Sequence, residues 1–142
     1  MIVISSKVRY AVAAILELVN SYGRGLLQTK VIAERRRIPP NYLEQLLHQL
    51  TKAGLVRAVR GSRGGYELAL DPANITVLQV WEIMEGGPDI TQNGGQAVDA
   101  LQDLYREAEQ ELKRVFSVPL SELLARQQRH DENVNESLMF HI

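Results

Sequence analysis

Residues 40–66 read PNYLEQLLHQLTKAGLVRAVRGSRGGY. Pro40 suits a first helical position, because its ring presets φ and its missing N–H would go unpaired there anyway. Leu43, Leu46, Leu47 and Leu50 recur at steps of three and four, which predicts one apolar helical stripe. Asn41, Glu44, Gln45, His48, Gln49 and Lys52 fall on the opposite, polar side. Gly54 stands where a left-handed residue ends a helix. Val56 and Val59 bracket Arg57 in a short strand, and Tyr66 and Leu68 alternate with Glu67 in the next. Between them RGSRGG, residues 60–65, supplies two arginines and the glycine for a tight turn. A polar-faced helix followed by a β-hairpin with arginines at its tip predicts the reading half of a winged helix-turn-helix. Such a unit lays its second helix in the DNA major groove, within reach of base edges.

Upstream, Ser5 or Ser6 is expected to cap a first helix running to about Tyr22. Its apolar face is Val8, Ala11, Val12, Ile15, Leu18, Val19 and Tyr22. Lys7 and Arg9 lie in its first turn, where the helix dipole disfavours cations. Nearby phosphates would explain them, as would simple solvation. A short helix follows from about Thr29 to Arg36, with Val31, Ile32 and Ala33 inward. Arg35, Arg36 and Arg37 then either complement its C-terminus or hold phosphate. Ile38-Pro39-Pro40 makes the turn, since the residue before a proline avoids helical angles.

Downstream, Thr76 is placed to cap a helix from Val77 to Glu85, with Val80, Trp81, Ile83 and Met84 largely buried. Trp81 reads as core. Residues 86–95, GGPDITQNGG, read as a loop between two parts of the chain. Residues 96–116 read as the longest helix, with a near-heptad stripe of Val98, Leu101, Leu104, Tyr105, Ala108, Leu112, Val115 and Phe116. Little chain remains to cover that stripe. A second copy of the protein would cover it, and the alternative is packing back on the first helix. Pro119 starts a short helix bearing Leu120, Leu123 and Leu124. QQRHDENVNES is polar and expected to be mobile, and LMFHI after it is apolar. The expected organisation is a winged helix-turn-helix over 1–85, a loop over 86–95, a dimerisation helix and short helix over 96–127, and a tail over 128–142. The fold class is mainly α with a small β-hairpin wing.

Composition narrows the function. The 142 residues hold no cysteine, which removes disulfides, thiolate metal sites and cysteine nucleophiles together. The net charge of −1 hides a split. Residues 1–72 carry eleven Lys/Arg against five Asp/Glu, and residues 73–142 carry five against twelve. A basic first half of +6 and an acidic second half of −7 fit a DNA-binding module joined to a regulatory or oligomerising one. No apolar run is long enough to span a membrane. MIVISSK lacks the features of a signal peptide, so a cytoplasmic protein is expected. No phosphate-binding glycine loop, zinc spacing or nucleophile elbow occurs, and His48, His130 and His141 have no ligand-like spacing. Nothing in the sequence supports an enzyme.

SKVRYAVAAILEL, NYLEQLLHQLTKAGLV and VRGSRGGYEL together resemble the IscR/NsrR/CymR family of bacterial winged-helix transcription regulators. The likeness is strong from Ser6 to about Gly86 and looser through the long helix. It implies a homodimeric repressor of a pseudo-palindromic operator, paired through the long helix. Asn41, Glu44 and Gln45 would then read bases. Arg60 and Arg63, with Ser62 between them, would enter an A·T-rich minor groove. Lys7, Arg9, Tyr42 and Arg57 would hold phosphates. The dimer interface would be Val98, Leu101, Leu104, Tyr105, Ala108 and Leu112. Two positions depart from the family pattern: Val8 where glycine is usual, and Pro39 where a serine cap is usual. Many members hold an iron–sulfur cluster on cysteines that this chain lacks, so no cofactor is expected and the likeness is to the cysteine-free branch of the CymR type. That branch implies a role in cysteine and sulfur metabolism, with O-acetylserine thiol-lyase as partner. Phe140, His141 and Ile142 would then enter the enzyme, with Ile142 in its carboxylate site. Two rival readings stay open: a winged-helix module that docks proteins, and a repressor switched by a small molecule between Trp81, the 86–95 loop and the long helix.

Overall fold

The computed structural model describes residues 4–90 and 99–140, Phe140 through its backbone alone. Six helices and one hairpin follow in the order α1 Ser6–Asn20, α2 Thr29–Arg36, α3 Pro40–Lys52, β1 Val56–Val59, β2 Gly65–Leu68, α4 Val77–Glu85, α5 Ala100–Phe116 and α6 Leu120–Phe140. The mainly α architecture with a hairpin wing is as the sequence predicts. α1 is the central post. Its Ala11, Ala14, Ile15 and Leu18 are wholly buried, and α2, α3 and α4 pack around them. The leucine stripe of α3 closes the core from below, with Leu43, Leu46, Leu47 and Leu50 all buried. That stripe is what turns the polar side of α3 outward.

The joints follow from local chemistry. Gly54 has φ +83°, the left-handed conformation that stops α3 and frees the chain for β1. β1 and β2 pair antiparallel, Val56 opposite Leu68 and Val59 opposite Gly65. Leu27 bridges to Tyr66, widening the wing by one further stretch of chain before α2. Thr76 forms a full capping box with Gln79 at the start of α4. Trp81 is buried and meets the edge of Phe116 at 5.0 Å, which joins α4 to the end of α5 and fits its reading as core.

Four expectations differ from the structure. α1 stops at Asn20, and Tyr22 is 47% exposed, because Ser21 and Tyr22 already turn back onto Glu17 and Val19 carbonyls. Ser5 occupies the N-cap of α1 without capping it, since its hydroxyl donates to Glu85 Oε2 at 2.6 Å. α5 is not the longest helix; α6 is, with 21 residues. The short helix and separate tail are one continuous element, because nothing after Pro119 breaks it and pairs such as Arg126–Glu122 and Gln127–Asp131 support it at i,i+4 spacing. Helix start positions 96–98 and the Val98 of the stripe lie outside the described residues.

Candidate nucleic-acid interface

Two exposed features lie side by side. The first is the outer face of α3, where Asn41, Glu44, Gln45, His48 and Lys52 are all exposed. No side chain caps the helix start, since Pro39 holds the N-cap position and Pro40 opens the helix. Tyr42, half-buried, flanks this face and meets Tyr10 of α1 edge-on at 5.8 Å. The second feature is the hairpin tip, which leaves Arg60, Ser62 and Arg63 exposed. The tip is tight: a Cβ on Gly64 would collide with the Val59 carbonyl, and one on Gly65 would lie 2.5 Å from that of Leu27. Lys7 and Arg9 stand at the start of α1, half-buried and exposed respectively. Ser6, Arg9, Tyr10, Ala13 and Arg36 line a cleft of about 290 Å³ there.

Other arginines have acidic partners. Glu17, its side chain only 12% exposed, accepts from Arg36 Nε at 2.7 Å and Arg35 Nη1 at 3.3 Å. Two of the three clustered arginines therefore bind α2 to α1. Arg57, expected on phosphate, donates to Glu67 through Nε at 2.9 Å and Nη2 at 2.6 Å, directly across the hairpin. The sequence reading missed Glu17 and Glu67 as partners. Glu67 had a signal, because its position opposite Arg57 follows from the hairpin register; Glu17 had none.

The reading also missed Tyr66. Burial first, and then the negative charge of Glu44, raise its phenol above the usual tyrosine range.

On α5, Leu101, Leu104, Tyr105 and Ala108 are exposed and Leu112 is half-buried. Exposure reaches 54% at Leu101 and 60% at Leu104. On α6, Val134, Leu138 and Met139 are exposed too. The Phe140 side chain, His141 and Ile142 fall outside the described residues. An apolar groove of about 350 Å³ adjoins Trp81, lined also by Val8, Val12, Leu16, Phe116 and Leu123. It opens between α1 and α6.

A model of the family described as Rrf2, iron-dependent transcriptional regulator, matches residues 4–126. The chain belongs to the Rrf2 family. It is 32% identical over 139 residues to the HTH-type transcriptional regulator CymR of Bacillus subtilis, covering 98% of this chain and 99% of that one. The solved structure of that regulator, described as the global cysteine regulator, superposes with a TM-score of 0.72 over 89% of this chain and 98% of the other, at 32% identity. T. potens IscR superposes with a TM-score of 0.76 over 88% of each chain, also at 32% identity. The iron in the family description meets no fitting ligand set here. Thiolates hold iron–sulfur clusters, the chain has no cysteine, and among the described residues no three His, Asp or Glu gather to hold a metal. Among those residues no helix is long and apolar enough to cross a membrane.

Proposed function

We propose that this protein is a dimeric DNA-binding repressor of the CymR type, cytoplasmic and without enzymatic activity, acting on genes of cysteine and sulfur metabolism. One observation carries the DNA reading: the exposed polar face of α3 stands beside a wing tip with Arg60 and Arg63 uncovered. α3 enters the major groove, where Glu44 accepts from a cytosine amino group and Gln45 or Asn41 pairs with adenine. The wing arginines enter an adjoining narrow minor groove. Lys7, Arg9 and Tyr42 set register on phosphates. The exposed stripe of α5 pairs with that of a second copy, so two reading heads meet two half-sites. Selection from a random DNA pool, followed by binding at rising salt, tests this. A selected pseudo-palindrome whose affinity falls steeply with salt supports it. No selected sequence at low salt would leave the protein-docking reading.

The cysteine role rests on the end-to-end likeness to a global cysteine regulator. O-acetylserine thiol-lyase is its proposed partner, taking up the end of the chain. α6 is helical to Phe140, so insertion of Phe140 with Ile142 requires its last turn to unwind. Mixing the protein with its host's thiol-lyase, with and without Ile142, tests this; equal binding by both forms, or no competition by O-acetylserine, would end it. The groove beside Trp81 supports a second reading, direct switching by a small apolar ligand, which metabolite titration of the DNA complex distinguishes.

A further inference from the structure

Two local preferences are broken where α1 meets α4. Ser5 stands at the N-cap of α1, yet its side chain caps nothing. Glu85 closes α4, where the helix dipole disfavours an anion, and no basic residue stands in that turn. The two residues answer each other. The Ser5 hydroxyl donates to Glu85 Oε2 at 2.6 Å, and the Ser5 amide donates to Oε1 at 3.4 Å. The same Oε1 accepts from the Trp81 indole at 3.1 Å. Trp81 is buried and set edge-on against Phe116, so the carboxylate hangs from a fixed point of the core. On its other side, the Ser5 carbonyl accepts from the Val8 amide at 3.1 Å and the Arg9 amide at 3.2 Å. A run of hydrogen bonds therefore leads from the indole, through Glu85 and Ser5, to the backbone of Arg9. The core does not need it, because buried Val8, Ala11, Ala14 and Ile15 already hold α1 against its neighbours. Local rules broken without a packing reason are expected where a protein does its work.

We propose that Glu85 is a positioning residue for DNA binding: through Ser5 it fixes the first turn of α1, and with it the place where Lys7 and Arg9 meet phosphates. That turn has no side-chain cap and no acidic residue, and its two cations oppose the helix dipole. Left to itself it would fray, and a frayed turn must lose that freedom when it meets a phosphate. The Glu85 link removes the freedom beforehand. Phosphate contacts set register and carry no base information, so Glu85 acts on affinity and not on the sequence selected. Trp81 also borders the apolar groove, so the groove and the phosphate contacts share one carboxylate. This inference rests on Lys7 and Arg9 being DNA contacts.

Ser5→Ala removes the hydroxyl and costs no cap, since none is formed; Ser5→Thr keeps the hydroxyl, and Glu85→Gln keeps the size and removes the charge. The full-length variants are compared with wild type on the selected operator. Affinity should fall about 3- to 10-fold in Ser5→Ala and Glu85→Gln, the range of one hydrogen bond, and Ser5→Thr should restore it. Base preferences should not change, and the salt dependence should flatten. In a Lys7→Ala/Arg9→Ala background, Ser5→Ala should add nothing. Unchanged affinity, altered base preferences or an additive loss would overturn the proposal. So would a lower melting temperature with wild-type affinity, which would make the link a staple of the fold alone. If Lys7→Ala/Arg9→Ala binds as wild type, the DNA reading of α1 fails; if it binds weakly and Ser5→Ala does not, only this inference fails. A second measurement needs no DNA. The chain has one tryptophan and so one indole N–H signal by NMR. That signal should move in Ser5→Ala, and an unmoved signal would also overturn the proposal.

Discussion

Replacing Leu101 and Leu104 together by glutamate should convert the proposed dimer to monomers. Leu101 is 54% exposed and Leu104 60% in the single chain, so neither contributes much to its own core. In the proposed dimer, whatever the double variant loses is lost from contact between the two chains. Fully burying a leucine is worth about 1.5–3 kcal/mol, so covering the exposed half of each is worth about 1 kcal/mol. A two-fold dimer buries four such side chains, for roughly 4 kcal/mol. At about 1.4 kcal/mol per tenfold, the dimer Kd should rise about 10³-fold. Glutamate adds the cost of desolvating a carboxylate, so this is a lower bound. Sedimentation equilibrium across a concentration series measures it directly. Helical circular dichroism and the emission of buried Trp81 should stay those of the folded chain. Specific DNA binding should fall with the dimer, because one half-site alone is weak. A double variant that dimerises within tenfold of wild type would refute the α5 interface.

Arg60→Ala should lower specific DNA affinity by about 1–3 kcal/mol, read by fluorescence anisotropy. Arg57→Ala should cost less, because Glu67 already engages that guanidinium; the reverse order would show that Arg57 leaves its pair on DNA. Gly65→Ala should destabilise the fold by about 1–3 kcal/mol, the scale of overpacking, since its Cβ would sit 2.5 Å from the Leu27 carbonyl oxygen. Thermal melting reads that loss, and an unchanged Tm would mean that the wing yields freely. Protein purified without oxygen should be colourless with no stoichiometric iron, because the chain offers no thiolate; matching iron and sulfide would contradict this.

Where the fold was legible, the signal was local. The α3 stripe, the Gly54 stop, the hairpin and the Thr76 cap each depend on residues a few positions apart, and each appears in the structure as expected. What was not legible joins distant positions. Ser5 reaches Glu85, which also accepts from the Trp81 indole at 3.1 Å. Leu27 reaches Tyr66, and Glu17 reaches Arg36. No periodicity announces such pairs. α6 failed for another reason. Its sequence over 127–137 has no apolar stripe, and a polar run reads as loop by composition. Helix needs only the absence of breakers and favourable neighbours at i,i+4, and that run has both.

The basic half of the chain is also not one undivided surface, and its division has a measurable consequence. Arg36 and Arg35 serve Glu17, whose side chain is nearly sealed from solvent at 12% exposure. Withdrawing both guanidinium groups would leave a carboxylate in a poorly hydrated place, so this clamp resists release to a phosphate. Arg57 and Glu67 are more open, at 63% and 32%, and their pair is worth about 1 kcal/mol or less. The proposed DNA contacts then reduce to Lys7, Arg9, Arg60 and Arg63 on each protomer. Eight cations per dimer give a slope of log K against log salt of roughly −7. Adding Arg35, Arg36 and Arg57 would take it to roughly −13. Binding measured from low to moderate salt separates the two. A slope near the steeper value would mean that DNA opens the Glu17 clamp and shifts α2 against α1. A slope near the shallower one would mean that the clamp belongs to the fold and the free arginines to the operator.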